Sequence, residues 1–144
     1  MFLDASVLVA AARSPSGGSA AVIEVCQGRR YKAVLTHLVL TEARVNIGEK
    51  FGEPELVRFY QQLANLEPEI APPPPEFRID ECVPLTTDKD AHVLAAALEC
   101  AADYLLTLDR RHLLNPVVLA AGLPVRVITP GDFLQGIVRG EVEG

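Results

Sequence analysis

The 144-residue sequence lacks a long hydrophobic run and any basic leader. Its apolar segments, such as residues 93–98, are short and interrupted, and none approaches the roughly 18 uncharged residues of a membrane-spanning helix. An acidic residue, Asp4, stands where the basic part of a secretory signal would lie. We therefore expect a cytoplasmic protein that does not enter a membrane.

Cysteine is scarce, and its spacing excludes two kinds of small domain. The three cysteines, Cys26, Cys82 and Cys100, are far apart and form no C-x-x-C pair. This spacing argues against a disulfide framework and against a zinc site. Cys26 and Cys100 instead suit small apolar positions on the faces of helices.

The sequence has no excess of positive charge. Its net charge of −6 argues against a protein that binds nucleic acid over its whole surface. An enzyme acting on nucleic acid is still compatible with this charge, because cations bound to a carboxylate cluster reverse the field locally. Such an enzyme needs a basic rim, for which the candidates are Arg13, the group of Arg29, Arg30 and Lys32, and Lys89 with Arg110, Arg111 and His112.

About half of the residues, 49%, are hydrophobic, which is enough for one continuous core. We expect a single domain over residues 1–139, followed by a frayed acidic tail at residues 140–144. The four consecutive prolines at 72–75 cannot continue a helix or a central strand, so they indicate a rigid connector.

Short apolar segments alternate with helical segments along the chain. The segments with the length of buried strands are residues 2–4, 32–35, 104–107 and 125–128. The intervening segments have helical spacing, caps or helix-forming composition. Strands that are apolar throughout are typical of a parallel sheet buried on both faces. The sequence thus predicts a three-layer α/β fold with a short, mostly parallel sheet of four or five strands.

Four acidic residues stand near strand ends or on the helices beside them: Asp4, Glu42, Asp90 and Asp109. The carboxyl ends of the strands in such a sheet share one edge, where ligands bind, so the four side chains can converge there. Each acid also has an ordinary explanation as a helix cap, a turn residue or an exposed helical residue. Asp88 could replace Asp90 or add a fifth carboxylate, although capping suits it better.

A cluster of four carboxylates is an all-oxygen ligand set, which selects Mg²⁺ or Mn²⁺ over zinc. One or two such ions activate water and neutralise the charge on a phosphodiester during its hydrolysis. Without cations the cluster would be unfavourable, since like charges raise one another's pKa values. His92 and His112 could contact RNA or transfer protons, but we expect them to be surface residues and do not place them among the catalytic groups.

At these positions the chain resembles the PIN-domain family over nearly its full length. The motif around each acid is FLDASVLV for Asp4, LTEAR for Glu42, KDAHVLAAA for Asp90 and ADYLLTLDR for Asp109. The closing ITPGDFL, residues 128–134, resembles the last strand and helix of the family.

The resemblance implies a three-layer α/β/α fold and a Mg²⁺- or Mn²⁺-dependent ribonuclease whose four carboxylates are catalytic and bind the metal. Many members of this length are VapC-type toxins, often homodimeric and held inactive by a small antitoxin, so RNA and an antitoxin are the expected partners. Thr107, and less strongly Ser6, match polar positions beside the metal ligands. The chain departs from the family at Ala5, where threonine is usual, and at Leu108, where glycine is common.

Two other functions fit parts of the sequence. A catalytically weak PIN-like module could bind RNA or protein, and it would show firm binding without bound Mn²⁺. A phosphotransfer enzyme could use Asp4 as its nucleophile, but Ser6 stands where such a site would have a second acid.

Overall fold

The computed structural model describes residues 1–28 and 30–141, in which short strands alternate with helices. The elements are β1 (Phe2–Leu3), α1 (Ala5–Arg13), α2 (Gly18–Cys26), β2 (Val34–Leu35), α3 (His37–Lys50), α4 (Glu53–Leu66), β3 (Glu69–Ile70), α5 (Glu76–Cys82), α6 (Asp88–Glu99), β4 (Tyr104–Leu106), α7 (Pro116–Leu119), β5 (Arg126–Ile128) and α8 (Pro130–Arg139). A single 3₁₀ turn, Val83–Leu85, joins α5 to the loop before α6. Among the described helices, none has the length and apolar character needed to cross a membrane.

The five strands form one parallel sheet in the order β3-β2-β1-β4-β5. The central strand is β1, in which Phe2 pairs with Val34 of β2 on one side and with Leu105 of β4 on the other. The predicted α/β fold with a short parallel sheet is confirmed.

The connections explain why helices cover both faces of the sheet. From β1 the chain moves outward through β2 to β3, and it then crosses back to β4 and moves outward to β5. Since such crossovers are right-handed, the two directions of travel place their helices on opposite faces. In agreement, α1 packs against α2, α3 and α4, whereas α5 packs against α6, and α8 returns to contact α2.

The core explains the uninterrupted apolar strands. Phe2, Leu3, Leu105 and Leu106 are completely buried, because helices cover both faces of the two central strands. The alanine-rich middle of α6 is also buried and lets that helix approach the sheet closely. The central strands therefore form a fixed platform from whose ends the next side chains project.

Two elements lay outside the sequence prediction. The edge strand β3 has two exposed residues, so no burial pattern marks it. The proline connector has no regular secondary structure, as predicted, but it leads directly into α5 at Glu76. At the other end of the chain, Gly140 ends α8 with a φ of 75°, and the Glu141 N–H donates to the Gly136 carbonyl at 2.8 Å. The rest of the predicted tail, residues 142–144, lies outside the described residues.

Candidate metal centre

A cavity lies where the chain changes direction across the sheet. β1 leads outward to β2 on one side and β4 leads outward to β5 on the other, so the loops after β1 and β4 diverge. Such a point leaves a crevice beyond the carboxyl ends of the strands. The cavity there has a volume of about 690 Å³, and its lining includes all four predicted acids: Asp4, Glu42, Asp90 and Asp109.

Asp4 follows β1 directly and is the most buried of the four acids. It is 6% exposed, and its Oδ1 accepts a hydrogen bond from the Ala5 N–H at 2.9 Å, which caps α1. Its Oδ2 accepts hydrogen bonds from Ser6 Oγ at 2.8 Å and from Thr107 Oγ1 at 2.7 Å. Asp4 is therefore both a helix cap and a member of the cavity lining.

The surroundings of Asp4 favour a bound cation. Burial raises the pKa of Asp4 above its ordinary value, and the hydrogen bonds from Thr107 and Ser6 oppose that rise. The nearby charge of Glu42 raises the pKa further. A divalent ion at this carboxylate would offset both unfavourable effects, because its positive charge stabilises the ionised form of Asp4.

Asp90 and Asp109 approach each other beside a histidine. The imidazole Nδ1 of His112 lies 3.4 Å from Asp90 Oδ2 and 3.3 Å from Asp109 Oδ2. Each of the three residues offers a ligand atom, and these atoms lie within 4.8 Å of one another, so the three could hold a metal ion. Asp4 and Glu42 line the same cavity but are not part of this close group. Thr87, the residue before α6, also donates to Asp90 Oδ2, at 2.7 Å.

Sequence reasoning placed His112 at the basic rim but not among the catalytic groups, and a local turn brings it beside two of the acids. The N–H groups of Arg111 and His112 donate to Asp109 Oδ1 at 3.1 and 2.9 Å, which folds the chain back over the carboxylate. This turn returns the side chain three residues later to the same acid. The spacing Asp-x-x-His immediately after a strand was the signal that could have indicated it.

Glu42 comes from α3 and meets a lysine from α6. Its carboxylate pairs with the Lys89 ammonium, and the Glu42 side chain is only 20% exposed, whereas that of Lys89 is 65% exposed. The hydrogen bond to Glu42 raises the pKa of Lys89, and the charges of Asp90 and Asp4 raise it further. Lys89 thus places a positive charge at the rim of the acidic cluster.

Both predicted polar neighbours contact the first acid. Both hydroxyls donate to Asp4, and each also accepts a hydrogen bond from the loop after β4. The Leu108 N–H donates to Ser6 Oγ and the Asp109 N–H donates to Thr107 Oγ1, each at 3.0 Å. The two hydroxyls therefore tie Asp4 to the loop that carries Asp109. Ser6 supplies a hydroxyl although residue 5 is alanine, and the bond to Leu108 fixes the loop without a glycine.

The remaining predicted positions differ in their relation to the cavity. Arg13 lines it at the end of α1. Arg110 and Arg111 are exposed in the turn after Asp109 and do not line it, and their contact with RNA stays a prediction. Asp88 is the exposed first residue of α6, outside the cavity lining, and the capping position is taken by Thr87.

Comparison with known protein families gives one match. A family model described as PIN domain matches residues 1–111, which contain all four acids together with Ser6 and Thr107. No curated protein sequence matches the chain significantly. PIN domains are generally nucleases that use divalent metal ions, and the acidic cluster of this cavity agrees with that chemistry. The match covers most of the chain, and the protein therefore belongs to the PIN domain family.

Proposed function

We propose that this protein is a Mg²⁺- or Mn²⁺-dependent endoribonuclease that hydrolyses RNA phosphodiesters in the cavity beyond β1 and β4. The observation that carries the proposal is the convergence of Asp4, Glu42, Asp90 and Asp109, which come from distant parts of the sequence, on one cavity. A buried acid such as Asp4 has no structural need for an acidic neighbour, since the charge of Glu42 disfavours its ionised form. Cation binding explains why the four are together.

The four carboxylates would hold the metal, and the imidazole of His112 lies close enough to Asp90 and Asp109 to join them. When bound, the ions would activate water and neutralise the charge that develops on the phosphodiester. The hydroxyls of Ser6 and Thr107 would hold Asp4 and the loop of Asp109 in place.

The single domain proposed over residues 1–139 would act in the cytoplasm as the toxin of a type II toxin–antitoxin pair, as a homodimer inhibited by a small antitoxin. Support comes from the resemblance to VapC-type toxins of this length. A short neighbouring reading frame that encodes a DNA-binding element and an amphipathic tail is expected. Co-expression of its product should restore growth to cells arrested by this protein, and growth arrest that it does not relieve would contradict this assignment.

The nuclease proposal is tested by replacing two of the acids. Asp4→Asn and Asp90→Asn should each abolish Mn²⁺-dependent cleavage of single-stranded RNA while circular dichroism shows an unchanged fold. The matched control is Asp88→Asn, which removes an exposed acid from the same turn as Asp90 and should leave cleavage intact. Cleavage that survives both substitutions, or that persists in EDTA, would show that the carboxylates are not the catalytic site. Firm RNA binding with no Mn²⁺ binding would instead identify a catalytically weak binding module.

A further inference from the structure

The cavity continues past the carboxylates to a second end with a different character. There it is lined by Arg13, Lys50 and Phe51. Arg13 is the last residue of α1, Lys50 is the last residue of α3, and Phe51 follows directly. We call these three residues the basic end of the cavity, in contrast to the acidic end formed by the four carboxylates.

At the basic end, Arg13 is supported by an aromatic ring. The Arg13 guanidinium carbon lies over the Phe51 ring, 5.7 Å from its centroid, an arrangement in which a cation and a ring attract each other. Phe51 is partly buried and packs against the hydrophobic core, so the ring is a fixed support. Arg13 itself is exposed, which leaves one side of the guanidinium open to the cavity.

The cations of the basic end have no acidic partner in the part of the chain that the structure describes. In residues 1–28 and 30–141, neither Arg13 nor Lys50 forms an ion pair, in contrast to Lys89 at the acidic end. The protein as a whole is acidic, so it attracts a polyanion only where cations are grouped. Two cations without an acidic partner, in the same cavity as the four carboxylates, therefore suit a phosphate group of the substrate.

We propose that Arg13, Lys50 and Phe51 form a subsite for one nucleotide of single-stranded RNA near the cleavage site. Its base would stack against the Arg13–Phe51 pair, and a backbone phosphate would contact Lys50. Unpaired bases can stack on aromatic rings and guanidinium groups, whereas the bases of a duplex are already stacked on one another. This assignment rests on the proposed nuclease function, because that function places the RNA strand in the cavity. RNA binding can nevertheless be measured without RNA cleavage.

The test measures RNA binding in the full chain carrying Asp90→Asn, by fluorescence anisotropy with Mn²⁺ present. The probe is a labelled mixed-sequence single strand of about 12 nucleotides, compared with the duplex of the same sequence. Added to this background, Arg13→Met and Phe51→Ala should each weaken single-strand binding roughly five-fold or more. Phe51→Leu should do the same while it keeps most of the apolar packing, so it separates stacking from a loss of fold.

The salt dependence of RNA binding distinguishes the phosphate contact of Lys50 from the stacking of a base. Lys50→Met should reduce the slope of log affinity against log salt concentration by about 0.7, the value for one phosphate contact on a single strand. The Phe51 variants should weaken binding and leave that slope unchanged. A matched control is Phe77→Ala on α5, where the Arg78 guanidinium lies 5.4 Å from the Phe77 ring centroid but the pair does not line the cavity. A second control is Arg126→Met, at the start of β5.

Binding by Arg13→Met and Phe51→Leu that equals that of the two controls would overturn the subsite. So would an equal loss of duplex binding. Cleavage is assayed separately, in the same variants with Asp90 restored. If the unmodified protein cleaves no RNA while the variants still lose single-strand binding, the nuclease proposal fails and the subsite stands.

Discussion

Replacing Thr107 with valine should destabilise the metal-free protein by about 3 kcal/mol at neutral pH. Thr107 is completely buried, and its hydroxyl makes two hydrogen bonds, to Asp4 Oδ2 at 2.7 Å and from the Asp109 N–H at 3.0 Å. A hydrogen bond to a charged group contributes about 1.5–3 kcal/mol and a neutral one about 1 kcal/mol. Valine keeps the shape of threonine, so the loss comes from these bonds. In a domain of this size the melting temperature should fall by about 9 °C.

The loss should depend on pH in a defined direction. Burial raises the pKa of Asp4 and the Thr107 hydrogen bond lowers it, so the valine variant should have an even higher Asp4 pKa in the folded state. A carboxylate with a raised pKa destabilises the fold increasingly as the pH rises from its unfolded value through its folded value. The difference between Thr107→Val and the unmodified protein should therefore be largest at neutral pH. It should shrink as the pH falls toward the unfolded-state pKa of about 3.9, because the raised pKa leaves a growing fraction of Asp4 protonated in both folded proteins.

Urea denaturation in EDTA, followed by circular dichroism across this pH range, measures the effect. The control is Thr36→Val, because Thr36 is also buried and its hydroxyl accepts one hydrogen bond, from the Val39 N–H at 3.3 Å. That change removes a helix cap and should lower the free energy of unfolding by about 1 kcal/mol with little dependence on pH. Equal losses in the two variants, or a Thr107→Val loss that stays constant with pH, would refute the role assigned to the Thr107–Asp4 hydrogen bond.

Two further predictions concern metal binding, measured by calorimetry without RNA. Lys89→Met removes the cation paired with Glu42 and should tighten Mn²⁺ binding by up to about five-fold, since the pair is partly exposed. Lys32→Met, which breaks the exposed ion pair with Glu69, should leave Mn²⁺ binding unchanged, and weaker Mn²⁺ binding in Lys89→Met would contradict the prediction. His112→Asn should weaken Mn²⁺ binding by roughly ten-fold or more. Mg²⁺ binding should change less, because imidazole suits transition metals better than Mg²⁺, and an equal loss for the two ions would exclude imidazole coordination.

The fold could be predicted from the sequence where burial leaves a pattern. β1 and β4 are apolar because helices cover both of their faces, and the sequence indicated them together with β2 and β5. The exposed edge strand β3 has no such pattern, since its pairing with β2 comes from backbone hydrogen bonds. Burial therefore marks a central strand in the sequence but does not mark a short edge strand.

The sequence likewise allowed some residues of the candidate site to be placed and not others. Asp4 and Asp109 could be placed because each follows an apolar strand, and parallel strands bring their carboxyl ends to one edge. The position of His112 depends on a backbone turn around Asp109, which the spacing Asp-x-x-His is compatible with but does not by itself specify. The pairing of Lys89 with its partner on α3 joins helices far apart in the chain, so only the packed structure brings them together.

Two helices, α1 and α3, run from the acidic end of the cavity to its basic end. α1 follows its N-cap residue Asp4 and ends at Arg13, while α3 carries Glu42 in its second turn and Lys50 at its end. A helix favours negative charge at its start and positive charge at its end, so the dipole of α1 matches the change from acidic to basic along the cavity, and that of α3 favours Lys50. The nine residues of α1 correspond to about 13 Å along its axis. Because of that separation, a single phosphate group could not contact the acidic end and the basic end together, whereas the proposed RNA strand could.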